Sequence, residues 1–137
     1  MGAAGDDAER EIDALLQKEG IRRDGNLDYI CAMFDEDYHV IGTGSCFGNT
    51  LRCFAVSSDH QGEGLLNQII THLIEVQCAR GNLHLFLYTK GKSSKFFGDL
   101  GFYEIARVED TLVFMENRRD GFGAYLRGLE KTKTEGR

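Results

Sequence analysis

The sequence predicts a mixed α/β domain, with a mostly antiparallel sheet flanked by helices. Three observations carry that prediction. Residues 26–56 read as three consecutive strands joined by short turns, "NLDYICAMFD", "YHVIGTGSCF" and "TLRCFAV". Residues 50–88 then change period from strand to helix and back to strand. This is a β-loop-α-β unit, right-handed by default. A second hairpin, "FYEIARVED" with "TLVFMEN", follows near the end.

Each element has a local reason. In "DDAEREIDALLQKE" (6–19), Ile12, Leu15 and Leu16 form one apolar stripe, acids gather in the first turn, and Gly20 stops the helix. "DED" turns the first strand into its partner, and "GN" starts the third. The central helix runs to about Ala79. Leu65, Leu66, Ile69, Ile70, Leu73 and Ile74 fall on one face, and Asn67, Gln68, Thr71, His72 and Glu75 on the other. "LHLFLYT" is almost continuously apolar, the pattern of a parallel strand buried on both faces. "SSKFFGDLGF" reads as a short helix capped by Ser93 or Ser94 and closed by Gly101. "GAYLRGLEKTK" reads as a closing helix with Tyr125, Leu126 and Leu129 on one side, and "TKTEGR" as a frayed end or the start of a linker.

The bulk properties exclude several classes. The 137 residues suit one domain. A net charge of −6 argues against a nucleic-acid surface. No apolar run has the length of a membrane span, and "MGAAGDDAEREID" has no secretory pattern, so a cytoplasmic location is expected. The four cysteines, Cys31, Cys46, Cys53 and Cys78, form no CxxC pair and stand near no spaced histidine couple. Reduced thiols are expected, and no metal.

The stretch "SSDHQGEGLLNQ" (57–68) holds the feature that asks for a function. Two glycines with one residue between them stand where a strand hands over to a helix. Such a hinge presents unpaired backbone amides, and the helix dipole adds about half a positive charge. Together they seat a phosphate without a lysine. Neither a Walker loop nor GxGxxG is present. At the level of the motif, a phosphate seat and a simple left-handed turn both stand.

With its position included, the hinge resembles the signature of the GNAT acetyltransferase superfamily. That signature is Arg/Gln-x-x-Gly-x-Gly/Ala, entered from an apolar strand, and here it reads Gln61-Gly62-Glu63-Gly64-Leu65-Leu66. Leu66 departs from the small final residue. "FFGDLGF" is similar to the late helix of that family, and the resemblance spans residues 26–116 in order of elements. It implies a splayed parallel strand pair, Leu51–Val56 and Leu83–Tyr88. The pantetheine arm of acetyl-CoA or CoA would lie between these strands, and the pyrophosphate on the loop amides. The implied cofactor-binding residues are Phe54, Ala55, Val56, Gln61, Gly62, Glu63, Gly64 and Leu65.

"LRCFAVS", "GEGLLNQIITHLI", "LHLFLYTK", "LGFYEIARV" and "LVFMEN" resemble more closely the N-terminal domain of the citrate lyase ligase family. That resemblance implies a single GNAT-like domain over 1–137, with 121–137 as closing helix and linker to a nucleotidyltransferase domain. It also implies a partner, the citrate lyase acyl-carrier subunit, whose pantetheine-type prosthetic group is acetylated using ATP and acetate. A stand-alone GNAT N-acetyltransferase and a non-catalytic CoA-binding module are the alternatives.

Catalytic groups are sparse. GNAT enzymes often carry a tyrosine acid four residues before the late glycine, and here that position is Phe97. Tyr88, at the end of the second parallel strand, is the candidate substitute proton donor, or else a strand-end tyrosine whose hydroxyl reaches solvent. His84 reads as a core histidine, Arg52 as a solvated charge and Cys53 as an inert buried thiol. "KGKSSK", with Lys90, Lys92 and Lys95, suits a 3′-phosphate, an acidic carrier protein or plain solvent.

Overall fold

A computed structural model of the chain describes residues 2–3, 6–109 and 111–118. The expected closing helix and linker at 121–137 fall outside these residues. The chain forms two compact units, Met1–Leu83 and His84–Arg137.

The first unit layers helices on both faces of an antiparallel sheet. Strands β2 (Tyr29–Phe34), β3 (Val40–Phe47) and β4 (Thr50–Val56) make the expected meander. The short β1 (Gly2–Ala3), which the sequence pattern did not suggest, pairs with Ala32 and Cys31 of β2. Helix α1 (Asp6–Lys18) buries Ile12, Leu15 and Leu16 against Ala32, Cys53 and Ala55. Helix α2 (Leu65–Ala79) lies over Gly42 and Gly44 of β3, with Ile69 and Leu73 against them. Ala32 pairs with Thr43, so strand alternation puts Gly42 and Gly44 on the face opposite α1. A side chain at Gly44 would meet Ile69 at 2.5 Å, so the glycine is what lets α2 approach the sheet closely.

β2 starts at Tyr29, just after Asp28, whose amide donates to the Cys46 carbonyl of β3 at 2.9 Å. The Asp28 carboxylate accepts from the Gly48 amide at 2.8 Å and from Arg80 at 2.7 Å. Gln77, fully buried on α2, donates to the Gly48 carbonyl at 2.8 Å and fastens the helix to the β3–β4 turn.

The second unit is the ladder β5 (Phe86–Lys90), β7 (Leu112–Glu116) and β6 (Tyr103–Val108), with the six-residue helix α3 (Ser94–Asp99). β5 is shorter than "LHLFLYT" and alternates instead of being buried on both faces. Leu87 and Thr89 are buried while Tyr88 and Lys90 are exposed. The open face remains stable because Phe86 and Tyr88 stack on Phe114, with ring centroids 5.7 and 4.7 Å apart. Ahead of the strand, the Leu85 amide donates to the Asn117 side chain at 2.9 Å. The expected serine cap on α3 is not made. Ser94 donates instead to the Gly91 carbonyl at 2.9 Å, closing the turn before the helix.

The three α-helices among the described residues end the same way. Gly20, Gly81 and Gly101 take left-handed φ angles of 74°, 87° and 97°. The following amide then reaches back: Ile21 to Leu16, Asn82 to Gln77 and Phe102 to Phe97, at 2.8, 2.9 and 3.0 Å. These are Schellman caps, and glycine is required at each because an L side chain at that φ is strained.

Candidate functional site

The site is built on the strand-to-helix junction of the first unit. β4 does not run straight into it. Thr43 pairs with Ala55 and Ser45 with Arg52, so Cys53 and Phe54 face the single residue Gly44. This is a β-bulge, and Cys53 takes a left-handed φ of 51° to make it. The bulge turns Arg52 and Cys53 toward the same side. Arg52 pairs with Asp24 at 3.0 Å and stacks over Phe47, so it is held in place where the sequence suggested a solvated charge. Nothing in the residue types marks the bulge, because its left-handed position holds a cysteine where glycine is usual.

Beyond the bulge, Phe54 is half-buried, and Ala55 and Val56 are buried. A 3-10 turn (Ser58–His60) leads to the glycine hinge. The Gln61 side chain donates to the Val56 carbonyl at 2.8 Å, closing the loop onto the strand that feeds it. Gly62 and Gly64 have φ of 86° and 75°, both left-handed. Cβ atoms at either position would meet nothing within 4 Å, so it is backbone conformation, not space, that demands glycine here. Gly64 is the N-cap of α2, and its carbonyl accepts from the Gln68 amide at 3.2 Å.

A glycine N-cap has no side chain to offer the first-turn amides, and no side-chain hydrogen bond caps this helix. The first turn also carries no acid. The amides and the helix dipole are therefore directed at the loop, an arrangement that attracts an anion. Glu63 is the one acidic side chain between Gln61 and Leu65, and its carboxylate lies 2.7 Å from His60 Nδ1. Sequence reading missed this pair, although an acid three residues after a histidine was the available signal. Leu65 begins the helix half-buried.

Thus Phe54, Ala55 and Val56 at the end of β4, and Gln61, Gly62, Glu63, Gly64 and Leu65 at the start of α2, lie on either side of one short turn in the first unit. Tyr88 belongs to the second unit, half-exposed, with its ring on Phe114. Phe97 is fully buried and packs edge-on against Phe96 and Phe102, so its position is part of a core. His84 stands 3.6 Å from the buried Glu116 carboxylate and against the Phe86 ring. Burial pushes the Cys53 thiol above its ordinary pKa, which disfavours the nucleophilic thiolate. The same cause pushes Cys31 up to about 11 and Cys46 to about 12. Among the described residues no cluster of histidine, cysteine or carboxylate groups is set to hold a metal. No described helix is long and apolar enough to cross a membrane.

No family model matches the chain. Curated relatives do. The citrate lyase ligase of Klebsiella pneumoniae is 32% identical over 126 residues, 92% of this chain and 36% of its own length. That of Escherichia coli is 30% identical over 126 residues, with the same coverage of each. The chain therefore spans little more than a third of these relatives. Among solved structures, a GNAT-family acetyltransferase from Staphylococcus aureus superposes with a TM-score of 0.70 at 12% identity, covering 84% of this chain and 95% of that one. A GNAT-family N-acetyltransferase from Escherichia coli in complex with CoA superposes with a TM-score of 0.64 at 16% identity, covering 87% of this chain and 81% of that one. The chain has the mixed, mostly antiparallel GNAT acetyltransferase fold, and across 92% of its length its sequence is similar to citrate lyase ligases.

Proposed function

We propose that the chain is a GNAT-type domain of a citrate lyase ligase, binding a CoA-like pantetheine arm with its pyrophosphate on the Gln61–Leu65 loop. The full-length form would acetylate the prosthetic group of the citrate lyase acyl carrier, using ATP and acetate, in the cytoplasm. One observation carries the reading. The α2 N-terminus is left without a side-chain cap and is reached through two left-handed glycines directly after a bulged strand. Such a terminus satisfies its donors best with an anion. The similarity to citrate lyase ligases supports the choice of ligand class.

On this reading the loop amides and the α2 dipole fix the pyrophosphate, Gln61 holds the loop against Val56, and Phe54–Val56 line the arm. ATP with magnesium should bind much more weakly than CoA, since the described residues offer no carboxylate cluster for the ion. Calorimetry with CoA tests the site. Gly64→Val forces a β-branched residue into a left-handed φ at the anion seat, and a loss of about tenfold or more in affinity is expected. Equal affinity of variant and parent would remove the site.

The alternative, a self-sufficient N-acetyltransferase, is disfavoured by the buried Phe97, which cannot donate a proton to a leaving thiolate. Little thiol release from acetyl-CoA is expected across a panel of amines. Saturating turnover with one amine would favour the alternative, with Tyr88 the residue to substitute next.

A further inference from the structure

We propose that the turn between β5 and α3 is a docking surface for an acidic carrier protein, with Lys90, Lys92 and Lys95 as its contacts; this rests on the carrier-linked reading above. The chain as a whole is acidic, at −6, yet from His84 to Gly98 it has no aspartate or glutamate and three lysines. All three lysines are exposed. Lys92 and Lys95 make no ion pair with any described residue, so their charge is not cancelled locally. Arg107 also leans on this turn, with Nη2 3.5 Å from Ser94 Oγ, but Glu104 at 2.6 Å neutralises it.

The backbone beneath the lysines is well tied. Lys90 is in register with Leu112 on the β7 ladder, and the Ser94 hydroxyl closes the turn onto Gly91 at 2.9 Å. The like charges of Lys92 and Lys95 on a fixed turn cost self-repulsion, which an acidic partner relieves. Complementary charge of this kind speeds encounter and fixes orientation more than it adds raw affinity. The half-exposed Tyr88 lies two residues before Lys90 on the same side of β5, giving the surface an aromatic edge of the kind that anchors interfaces. A pantetheine arm delivered on a protein, instead of as free CoA, would bring acidic side chains to this turn.

The test compares the parent with the Lys90→Glu, Lys92→Glu, Lys95→Glu triple variant. The probes are an acidic acyl-carrier protein bearing its pantetheine arm, CoA and dephospho-CoA. Circular dichroism verifies folding, and the corresponding triple glutamine variant separates charge loss from charge reversal. Carrier binding should fall by about 30-fold with glutamates and by less with glutamines, while dephospho-CoA affinity stays within about twofold. The parent's carrier affinity should also drop steeply with salt, because exposed charges are screened over about 10 Å at 0.1 M. Unchanged carrier affinity in the glutamate variant overturns the proposal. So does a loss confined to CoA, with carrier and dephospho-CoA spared, which would mean that the lysines read a 3′-phosphate. A parent that binds dephospho-CoA but no carrier removes the docking surface and leaves the loop site standing. A parent that binds carrier but no dephospho-CoA does the reverse.

Discussion

His39 shows how one titrating side chain ties α1 to the sheet. Its Nδ1 lies 3.2 Å from the Glu11 carboxylate, which also accepts from the Val40 amide at 3.3 Å. The hydrogen bond to Glu11, helped by the charges of Glu11 and Asp35, raises the His39 pKa above its ordinary 6.5. A raised folded-state pKa means that protonated His39 favours the folded state. The contribution is complete below pH 6.5 and disappears as pH rises through the raised value. Glu11→Gln keeps the acceptor for Val40 but removes the charge. In urea denaturation the variant should be less stable than the parent at about pH 6, and the gap should close by about pH 8.5. A gap that widens toward alkaline pH would contradict the assigned sign. At this scale the sequence was only partly legible. The glycines at 62 and 64 announce their left-handed φ, because no other residue adopts it so readily. Cys53 does not, and the His60–Glu63 and His39–Glu11 contacts depend on how loops close.

At the scale of elements, periodicity carried most of the information. The helix boundaries at Lys18 and Ala79 and all the long strands follow from spacing and from glycine. Two of the differences have clear physical causes. β5 reads as buried on both faces because its half-buried Phe86 and exposed Tyr88 are aromatic, and both stack on Phe114 in place of solvated side chains. The sequence reads "NLD" as the start of the strand, but β2 begins at Tyr29, with the Asp28 carboxylate bonded to Gly48 and Arg80. What spacing cannot show is how closely α2 lies on β3. A Cβ at Gly44 would fall 2.5 Å from Ile69 Cγ2 and 2.9 Å from Leu73 Cδ1. Gly44→Ala should therefore destabilise the fold by about 1–3 kcal/mol, the usual range for overpacking. The cost should be smaller in an Ile69→Ala background, which deletes the nearest clashing atom. Additive losses in that double-mutant cycle would place the strain elsewhere.

For the molecule as a whole, the cysteines give a simple reporter of the folded state. Cys31, Cys46 and Cys53 are buried with raised pKa values, and Cys78 is exposed on α2. A maleimide at about pH 7.5 should label one thiol quickly in the native protein and all four in denaturant, as read by intact mass. A second rapid label under native conditions would mean that the sheet opens near Cys53, the most accessible of the buried three. Composition alone allowed reduced thiols but could not rank them, since accessibility is a property of the assembled layers.

The three glycine caps also bear on how the chain finds its structure. Each helix end is specified within six consecutive residues, from Leu16 to Ile21, Gln77 to Asn82 and Phe97 to Phe102. Contacts that close so short a loop form on the order of 10–100 ns. The β1–β2 pairing instead joins Gly2 to Ala32 and must await a long search. Helix ends should thus settle early and locally, and the strand register on which the bulge at Cys53 depends should form later.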